Sequence, residues 1–347
     1  MHKAIFLEGT LRLTIQPEGP ILIKAGESGG ADPTLPDMEF VRTRRGSSDA
    51  KGLIYLPGSS LKGAVRAQAE RICRSLDSAE RQRNHLRRRR ELDPSEPLVP
   101  LADNPLGTGK SYDGLDDMNY SSGRAIEAME LRSHSTPTIA TYRRSSFVSQ
   151  IFGHTSLAGR VRFADAYPVG ELKLEERNGV AIDRIYGSVA VGPFNYETVV
   201  EGTFPTQIGF KNLTLAQIGL LGLALRDLAD GRIGIGFAKS RGLGRVRVNF
   251  DHLEIYYPTC RLNDHDLTLL SGARVAGSNE LAGLGALCQD MAYKGYAFPT
   301  EDSAPLPVGL AYVEDDLLGV RLNVSGDDQV RAIWRACMPA WKRELGL

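Results

Sequence analysis

The segment GRIGIGFAKSRGLG, residues 231–244, decides the fold because its glycines separate a helical pattern from a strand pattern. A dinucleotide-binding loop would have a third glycine at position 239 and would lead into a helix whose amides receive a pyrophosphate. Lys239 stands at that position, and residues 245–256 alternate apolar and polar side chains as a strand does. The segment therefore excludes a dinucleotide site and predicts a loop that approaches a phosphodiester backbone closely, since glycines lack Cβ atoms.

A second candidate loop, PGSSLKGAVR at residues 57–66, comes immediately before the first helical pattern. It is not a Walker loop, because Lys62 precedes its glycine and no Gly-Lys-Ser/Thr follows. The turn predicts a helix start, which leaves free amides beside the hydroxyls of Ser59 and Ser60 and places Lys62 one turn from Arg66. These features predict a seat for a phosphate group.

The order of elements predicts an α+β fold with a ferredoxin-like, or RRM-like, βαββαβ core. In chain order the elements are a strand in 3–15, a helix over 61–76, a strand at 160–164, a hairpin in 180–210, a helix over 213–228 and a strand over 245–256. Residues 98–146 lack periodicity and are predicted to form a long irregular insertion. We expect the core to occupy residues 1–257 and a C-terminal appendage of unknown role to occupy 258–347.

Charge is distributed unevenly along the chain. The formal net charge is +0, which argues against a protein that coats nucleic acid indiscriminately. However, residues 61–90 hold ten basic and three acidic side chains, whereas residues 301–328 hold one basic and seven acidic ones. This polarity suits a subunit that holds a polyanion on one face and neighbouring proteins on another, with two solvated faces as the alternative.

The cysteines and the apolar segments exclude other classes of protein. The four cysteines form no C-x-x-C pair, so the sequence predicts no zinc motif, no disulfide framework and mostly buried, reduced thiols. No apolar run reaches the roughly 18 residues of a membrane helix, and the first residues lack the pattern of a signal peptide. We therefore expect a cytoplasmic protein.

Five short motifs follow one another along the chain. They are PGSSLKG at 57–63, Ile151-Phe-Gly153, Val180-Ala-Ile-Asp-Arg184, Gly202-Thr-Phe204, and Gly-x-x-Lys-Ser-Arg-Gly-Leu-Gly-Arg-Val at 236–246. In this order they resemble the RAMP superfamily of CRISPR-associated proteins, and within it the repeated backbone subunit of type III effector complexes. The resemblance extends from about Lys3 to Tyr256.

The resemblance implies a guide-RNA-binding subunit in antiviral defence. Its implied partners are a guide CRISPR RNA, a complementary target RNA, adjacent RAMP subunits and the large polymerase-like subunit. It also implies a projecting thumb hairpin that interrupts the guide–target duplex, which we place at about 178–198 with Arg184 near its base. The residues implied to hold guide phosphates are Gly58, Ser59, Ser60, Lys62, Arg66, Arg184, Lys239, Ser240, Arg241, Gly242 and Gly244.

Some members of the family cleave the paired target RNA with a metal-dependent aspartate in a pattern like Asp-x-x-Val-Val-Arg. Asp37-Met-Glu-Phe-Val-Arg42 has that spacing, with Phe in place of the first Val. The resemblance therefore implies that Asp37 is both the catalytic residue and the ligand of Mg²⁺ or another divalent cation, with Asp32 and Glu39 as fallbacks. A single carboxylate suits a magnesium ion that keeps most of its waters. An inert loop aspartate is the alternative.

Other functions stay open on the sequence. Two rival functions are a backbone subunit without cleavage activity and a CRISPR repeat-processing endoribonuclease. In the endoribonucleases the glycine-rich loop lies close to the C-terminus, whereas about a hundred residues follow it in this chain. His134 or His154 would be the general base of an RNase that needs no metal, but a turn or core role is favoured for His154. A generic RRM reader would need stacking aromatics, and Phe6 and Phe250 do not form that motif.

Overall fold

A computed structural model describes residues 4–25, 38–44, 52–91, 94, 96–104, 106–107, 119–127 and 137–347. Its strands are β1 (Glu8–Pro17), β2 (Arg42–Thr43), β3 (Leu53–Ile54), β4 (Val161–Phe163), β5 (Val169–Ile182), β6 (Val189–Lys211), β7 (Val246–Tyr257), β8 (Cys260–Asn263), β9 (Asp266–Leu269), β10 (Arg274–Gly277), β11 (Glu280–Ala282), β12 (Ser303–Pro305), β13 (Tyr312–Glu314) and β14 (Val320–Ser325). Its α-helices are α1 (Gly58–Leu76), α2 (Ala79–Arg90), α3 (Ser122–Glu127), α4 (Pro137–Arg143), α5 (Phe147–Phe152), α6 (Leu215–Ala229), α7 (Leu284–Leu287) and α8 (Asp327–Leu345).

One antiparallel sheet organises these elements, in the order β13-β14-β7-β1-β6-β4, with β5 paired to β6. Strand β1 forms because Leu11, Leu13 and Ile15 alternate with polar residues, and these three side chains are buried. The buried face of the sheet carries the core, whereas Arg12 points to the other, open face. The predicted α+β class is confirmed.

Helices α1, α6 and α8 supply most of the apolar layer against the sheet. The α6 helix starts with a capping box, in which the Thr214 hydroxyl accepts from the Gln217 amide and the Gln217 side chain accepts from the Thr214 amide. Helix α8 packs so closely on α6 that a Cβ on Gly222 would lie 2.4 Å from the Trp334 ring. Trp334 also meets Phe250 of β7 edge-on, with ring centroids 4.6 Å apart. Residues 258–347, predicted as an appendage, thus share the sheet and the core of the preceding residues.

Some elements differ from the sequence expectations. Helix α2 was not predicted, because its twelve residues include six arginines and a single leucine and so show no apolar stripe. The described part of the predicted irregular insertion, 98–146, contains α3 and α4. After β7, in the segment predicted as an appendage, the chain forms strands β8 to β14 and helices α7 and α8.

A buried carboxyl group joins the C-terminal part of the chain to α6. Asp302 is 1% exposed and accepts hydrogen bonds from the amides of Leu215 and Gly285, both at 2.9 Å. Burial raises the pKa of Asp302 to about 6. The folded chain therefore holds a proton between about pH 4 and 6 that the unfolded chain releases, so the stability contributed by this group falls as the pH rises through that window.

We expect Asp302→Asn to remove this part of the pH dependence. Relative to the wild type, the free energy of unfolding of the variant should rise between pH 4.5 and 7 by about 2 kcal/mol, because the wild type loses its raised-pKa stabilisation over that window and one pKa unit is worth about 1.4 kcal/mol. Urea titrations of both proteins at the two pH values measure this difference. An equal pH dependence in both proteins would show that Asp302 is ionised throughout.

Candidate nucleic-acid interface

The glycine-rich loop 231–244 is pinned at its base and exposed at its tip. The amide of Ile235 donates to Gly244 O at 2.9 Å, and that of Phe237 donates to Leu22 O at 2.7 Å. Gly244 has φ +91°, and a Cβ there would lie 2.3 Å from Ile235 O, so this crossing requires glycine. The tip consists of the short 3-10 helix Lys239–Arg241, which has no buried residue. The loop therefore presents its basic residues to solvent on a fixed base.

A cavity of about 620 Å³ lies between this loop and α1. Ala64 and Ala67 leave room on the helix side, and no acidic side chain among the described residues lines the cavity. The basic residues that line it are Arg71, Arg232, Lys239 and Arg245, all exposed. A groove with four cations and exposed backbone amides is suited to the phosphates of a nucleic-acid strand, because such contacts do not depend on base identity. We call this cavity the groove.

Among the described residues, two acidic side chains pair with cations at the groove. The buried Asp227 lies 3.8 Å from Arg232. Glu18 pairs with Arg247 and Arg245 at 3.0 and 2.9 Å. The hydrogen bond from Arg247, and then that from Arg245, hold the pKa of Glu18 below its ordinary value. A phosphate that binds Arg245 therefore competes with Glu18, whereas Arg71 and Lys239 have no ion pair among the described residues.

The structure places Lys62 and Arg66 away from the groove. Lys62 and Arg71 are nine residues apart, and each residue of a helix turns by about 100°, so the two side chains lie on opposite sides of α1. The Arg66 guanidinium donates to Gly153 O at 2.8 Å and pairs with Glu70 at 2.9 Å, so it ties α1 to the end of α5. Burial lowers the pKa of Lys62. These two residues and the glycine-rich loop, predicted to hold the same phosphates, lie on different sides of α1.

The predicted phosphate seat at the start of α1 contains a carboxylate. The amide of Gly58 donates to Asp165 Oδ1 at 2.8 Å, and negative charge is favourable at this end of a helix. A Cβ on Gly58 would lie 2.2 Å from Phe163 O, so close packing against β4 explains this glycine. Ser59 is exposed and Ser60 is half-buried. No local signal predicts the contact, because Asp165 follows Gly58 by 107 residues.

The predicted thumb is the outer part of a longer hairpin, formed by β5 and β6. The chain reverses at residues 183–188, so Arg184 lies in the turn at the far end of the hairpin and not near its base. Asp183 fixes the turn by accepting from the amides of Ile185 and Tyr186, and these bonds lower its pKa. The side chains of Ile185 and Tyr186 are 83% and 84% exposed. The tip thus presents apolar groups beside one cation.

Asp37 and Asp32 lie outside the described residues, as does His134. The segment that follows Asp37 is anchored to β6, since Met38 N donates to Asn195 O at 3.2 Å. Arg42 holds both oxygens of Glu197 at 2.7 Å. Glu39 is half-buried. Within the part of the chain that the structure describes, no cluster of three His, Cys, Asp or Glu side chains is arranged to hold a metal ion.

His154 is arranged as a turn residue. Its Nδ1 accepts from the Ser156 amide at 3.2 Å, so the proton is on Nε2, which then donates to Ser145 Oγ at 2.8 Å. A base that activates a hydroxyl needs the opposite direction of donation. Burial lowers the pKa of His154, which keeps the ring neutral. The turn role favoured by the sequence agrees with this geometry.

Sequence reasoning missed Arg71 and Arg232 as residues of the groove, whereas Arg245 lies within the fifth motif, on the basic loop. A signal was present, because Arg232 adjoins the first glycine of the run and Arg71 continues the helical row of Ala64 and Ala67. Both missed residues lie outside the five motifs.

Comparison with protein families matches residues 15–247 to the RAMP superfamily. No curated protein matches the sequence. In the described residues, no helix is both long and apolar enough to cross a membrane. The family match spans the helices α1 and α6 and the glycine-rich loop. Helix α1 and this loop are the two walls of the groove.

Proposed function

Because the chain belongs to the RAMP superfamily, whose members are CRISPR-associated and work with RNA in ribonucleoprotein complexes, we propose that it is a guide-RNA-binding backbone subunit of a type III effector complex. The observation that carries this proposal is the groove between α1 and the glycine-rich loop, with Arg71, Arg232, Lys239 and Arg245 around it. Cations on a helix and on a fixed loop can hold an RNA strand in place through its phosphates, without contacts to its bases. A guide whose sequence varies requires such contacts.

An RRM-like core is part of the proposal. The strand order β7-β1-β6-β4 supports it, because in a βαββαβ unit the fourth and third strands flank the first. Helices α1 and α6 come after the first and third of these strands, as that unit requires. The open face of the sheet then stays free for other contacts.

The hairpin supports a role in segmenting the guide–target duplex. Its tip exposes Ile185 and Tyr186 on a turn that Asp183 fixes. An apolar wedge between bases must overcome about 1–3 kcal/mol of stacking per base. The wedge therefore depends on phosphate contacts elsewhere in the chain for its affinity, and the groove is suited to supply them.

Cleavage of the paired target RNA is the further part of the proposal, with Asp37 as the residue that holds a divalent cation. The cation would offset charge that develops at the scissile phosphate. The segment 38–42 contacts β6 at residues 195–197, on the same hairpin that would separate the target bases. The segment lies along the stem of the hairpin and not at its tip, so the proposed cleavage position is beside the stem.

The proposal predicts that the chain, purified from a native source with its partners, carries a short RNA of defined length. Extraction of the nucleic acid and its separation on a denaturing gel test this, with nuclease digestion as the control for identity. A native complex that contains the chain but no RNA would refute the proposed function.

A further inference from the structure

Helix α2 has an inner face that ties it to the rest of the chain. Arg81 is 3% exposed and pairs with Asp77 at 2.8 Å. Arg89 is also buried, pairs with Glu96 at 2.5 Å and donates to Arg143 O. Buried arginines must be paired because an isolated charge in the interior is strongly destabilising. These contacts fix the orientation of α2.

The outer face of α2 carries three arginines in one row. Arg83, Arg87 and Arg90 are exposed and stand at positions i, i+4 and i+7, which places them along one side of the helix. None of the three has an ion pair within the described residues. Among the residues that the structure describes, Arg90 donates to a neutral group alone, Glu96 O. We call this row the arginine row.

The row is not explained by the local needs of the helix. Cations in the last turn interact favourably with the helix dipole, which accounts for Arg87 and Arg90 but not for Arg83. Like charges four residues apart destabilise a helix by roughly 0.2–0.5 kcal/mol per pair. The chain as a whole has no excess of positive charge, so the row is a local concentration. A polyanion would remove the repulsion.

The row is also joined rigidly to the groove. Helix α1, which forms one wall of the groove, ends at Leu76, and α2 starts at Ala79. Asp77 between them accepts from Arg81 Nε and from the Leu101 amide, both at 2.8 Å. The arginine row is therefore held in a fixed position relative to the end of α1, five residues beyond Arg71.

We propose that Arg83, Arg87 and Arg90 form a second phosphate-binding surface, which holds RNA that extends beyond the groove; this inference rests on the proposed function. The surface lengthens the stretch of RNA that one subunit covers. Its contacts are electrostatic and do not depend on sequence.

The test uses the full chain and single-stranded RNAs of increasing length, with affinity measured across a range of salt. For RNAs above a threshold length, R83Q/R87Q/R90Q should weaken binding by about 100-fold at 0.1 M salt. The slope of log K against log salt concentration should become shallower by about 2, at about 0.7 per lost phosphate contact. Below that length its affinity should equal that of the wild type. R83K/R87K/R90K should retain the affinity, because a phosphate contact needs only the charge, and this variant controls for folding.

The matched control is R261Q/R335Q/K342Q, which removes the same charge from exposed positions elsewhere. The inference is overturned if the control weakens binding equally, if the loss is the same at every length, or if long RNAs bind the row variant normally while an acidic protein partner no longer does. A wild-type chain that binds no RNA of any length refutes the proposed function instead.

Discussion

Replacing three groove cations, as R71Q/R232Q/K239Q, is expected to weaken RNA binding by about 100-fold at 0.1 M salt. The slope of log K against log salt concentration should become shallower by about 2. Each of the three side chains is exposed and lines the groove, so the variant loses phosphate contacts without leaving a buried group unpaired. The loss should be equal for RNAs of different sequence, because phosphate contacts carry no sequence information. Fluorescence anisotropy with labelled RNAs at several salt concentrations measures both quantities.

A second variant separates binding from folding. Arg66→Gln removes a hydrogen bond to Gly153 O and an ion pair with Glu70, so it should lower the free energy of unfolding by about 1–3 kcal/mol while leaving the salt dependence of binding unchanged. R261Q/R335Q/K342Q again controls for net charge. A wild-type salt dependence in the groove variant, or a reduced one in Arg66→Gln, would place the RNA on the other side of α1.

Asp37→Ala is expected to abolish magnesium-dependent cleavage of target RNA at positions opposite this subunit and to leave guide and target binding intact. The rate should fall by roughly 1,000-fold, the factor that several kcal/mol of lost charge stabilisation corresponds to. The carboxylate approaches a scissile phosphate only when a cation separates the two negative charges. Labelled target RNA is incubated with wild-type and variant complexes, with and without a chelator.

Glu39→Ala is the matched control, since it removes a carboxylate two residues away within the segment that contacts β6. It should cleave as the wild type does. Unchanged cuts by Asp37→Ala would move the role to Asp32, or to Glu39 if Glu39→Ala loses the cuts. Absence of cuts in the wild-type complex would leave a backbone subunit without cleavage activity.

The periodic parts of the fold were predictable from sequence. Residues 61–76, 213–228 and 245–256 correspond to α1, α6 and β7, because each buries one apolar stripe or one alternate set of side chains. Helix α2 was not predictable by this route, since buried arginines hold it through ion pairs with Asp77 and Glu96 and these give no apolar period. Strands as short as β11 and β12 give no measurable period.

The sequence predicts which loops belong to the candidate site, but not how the side chains are arranged around it. The glycine run identifies a loop that approaches a ligand closely, and Lys239 lies on it as expected. The contact between Gly58 and Asp165 joins residues far apart in sequence, so only the folded chain shows that a carboxylate occupies the start of α1. The separation of Lys62 from Arg71 follows from helical spacing alone and was within reach of the sequence.

Whether the groove holds RNA is tested by locating the RNA on the chain. Ultraviolet crosslinking of the RNA retained by a native complex, followed by mass spectrometry of the peptides, maps the contact. We expect crosslinks in residues 231–245 and in the part of α1 that includes Arg71. Crosslinks confined to the open face of the sheet, near Thr10, Gln207 and Tyr256, would contradict it and would indicate a generic RRM reader.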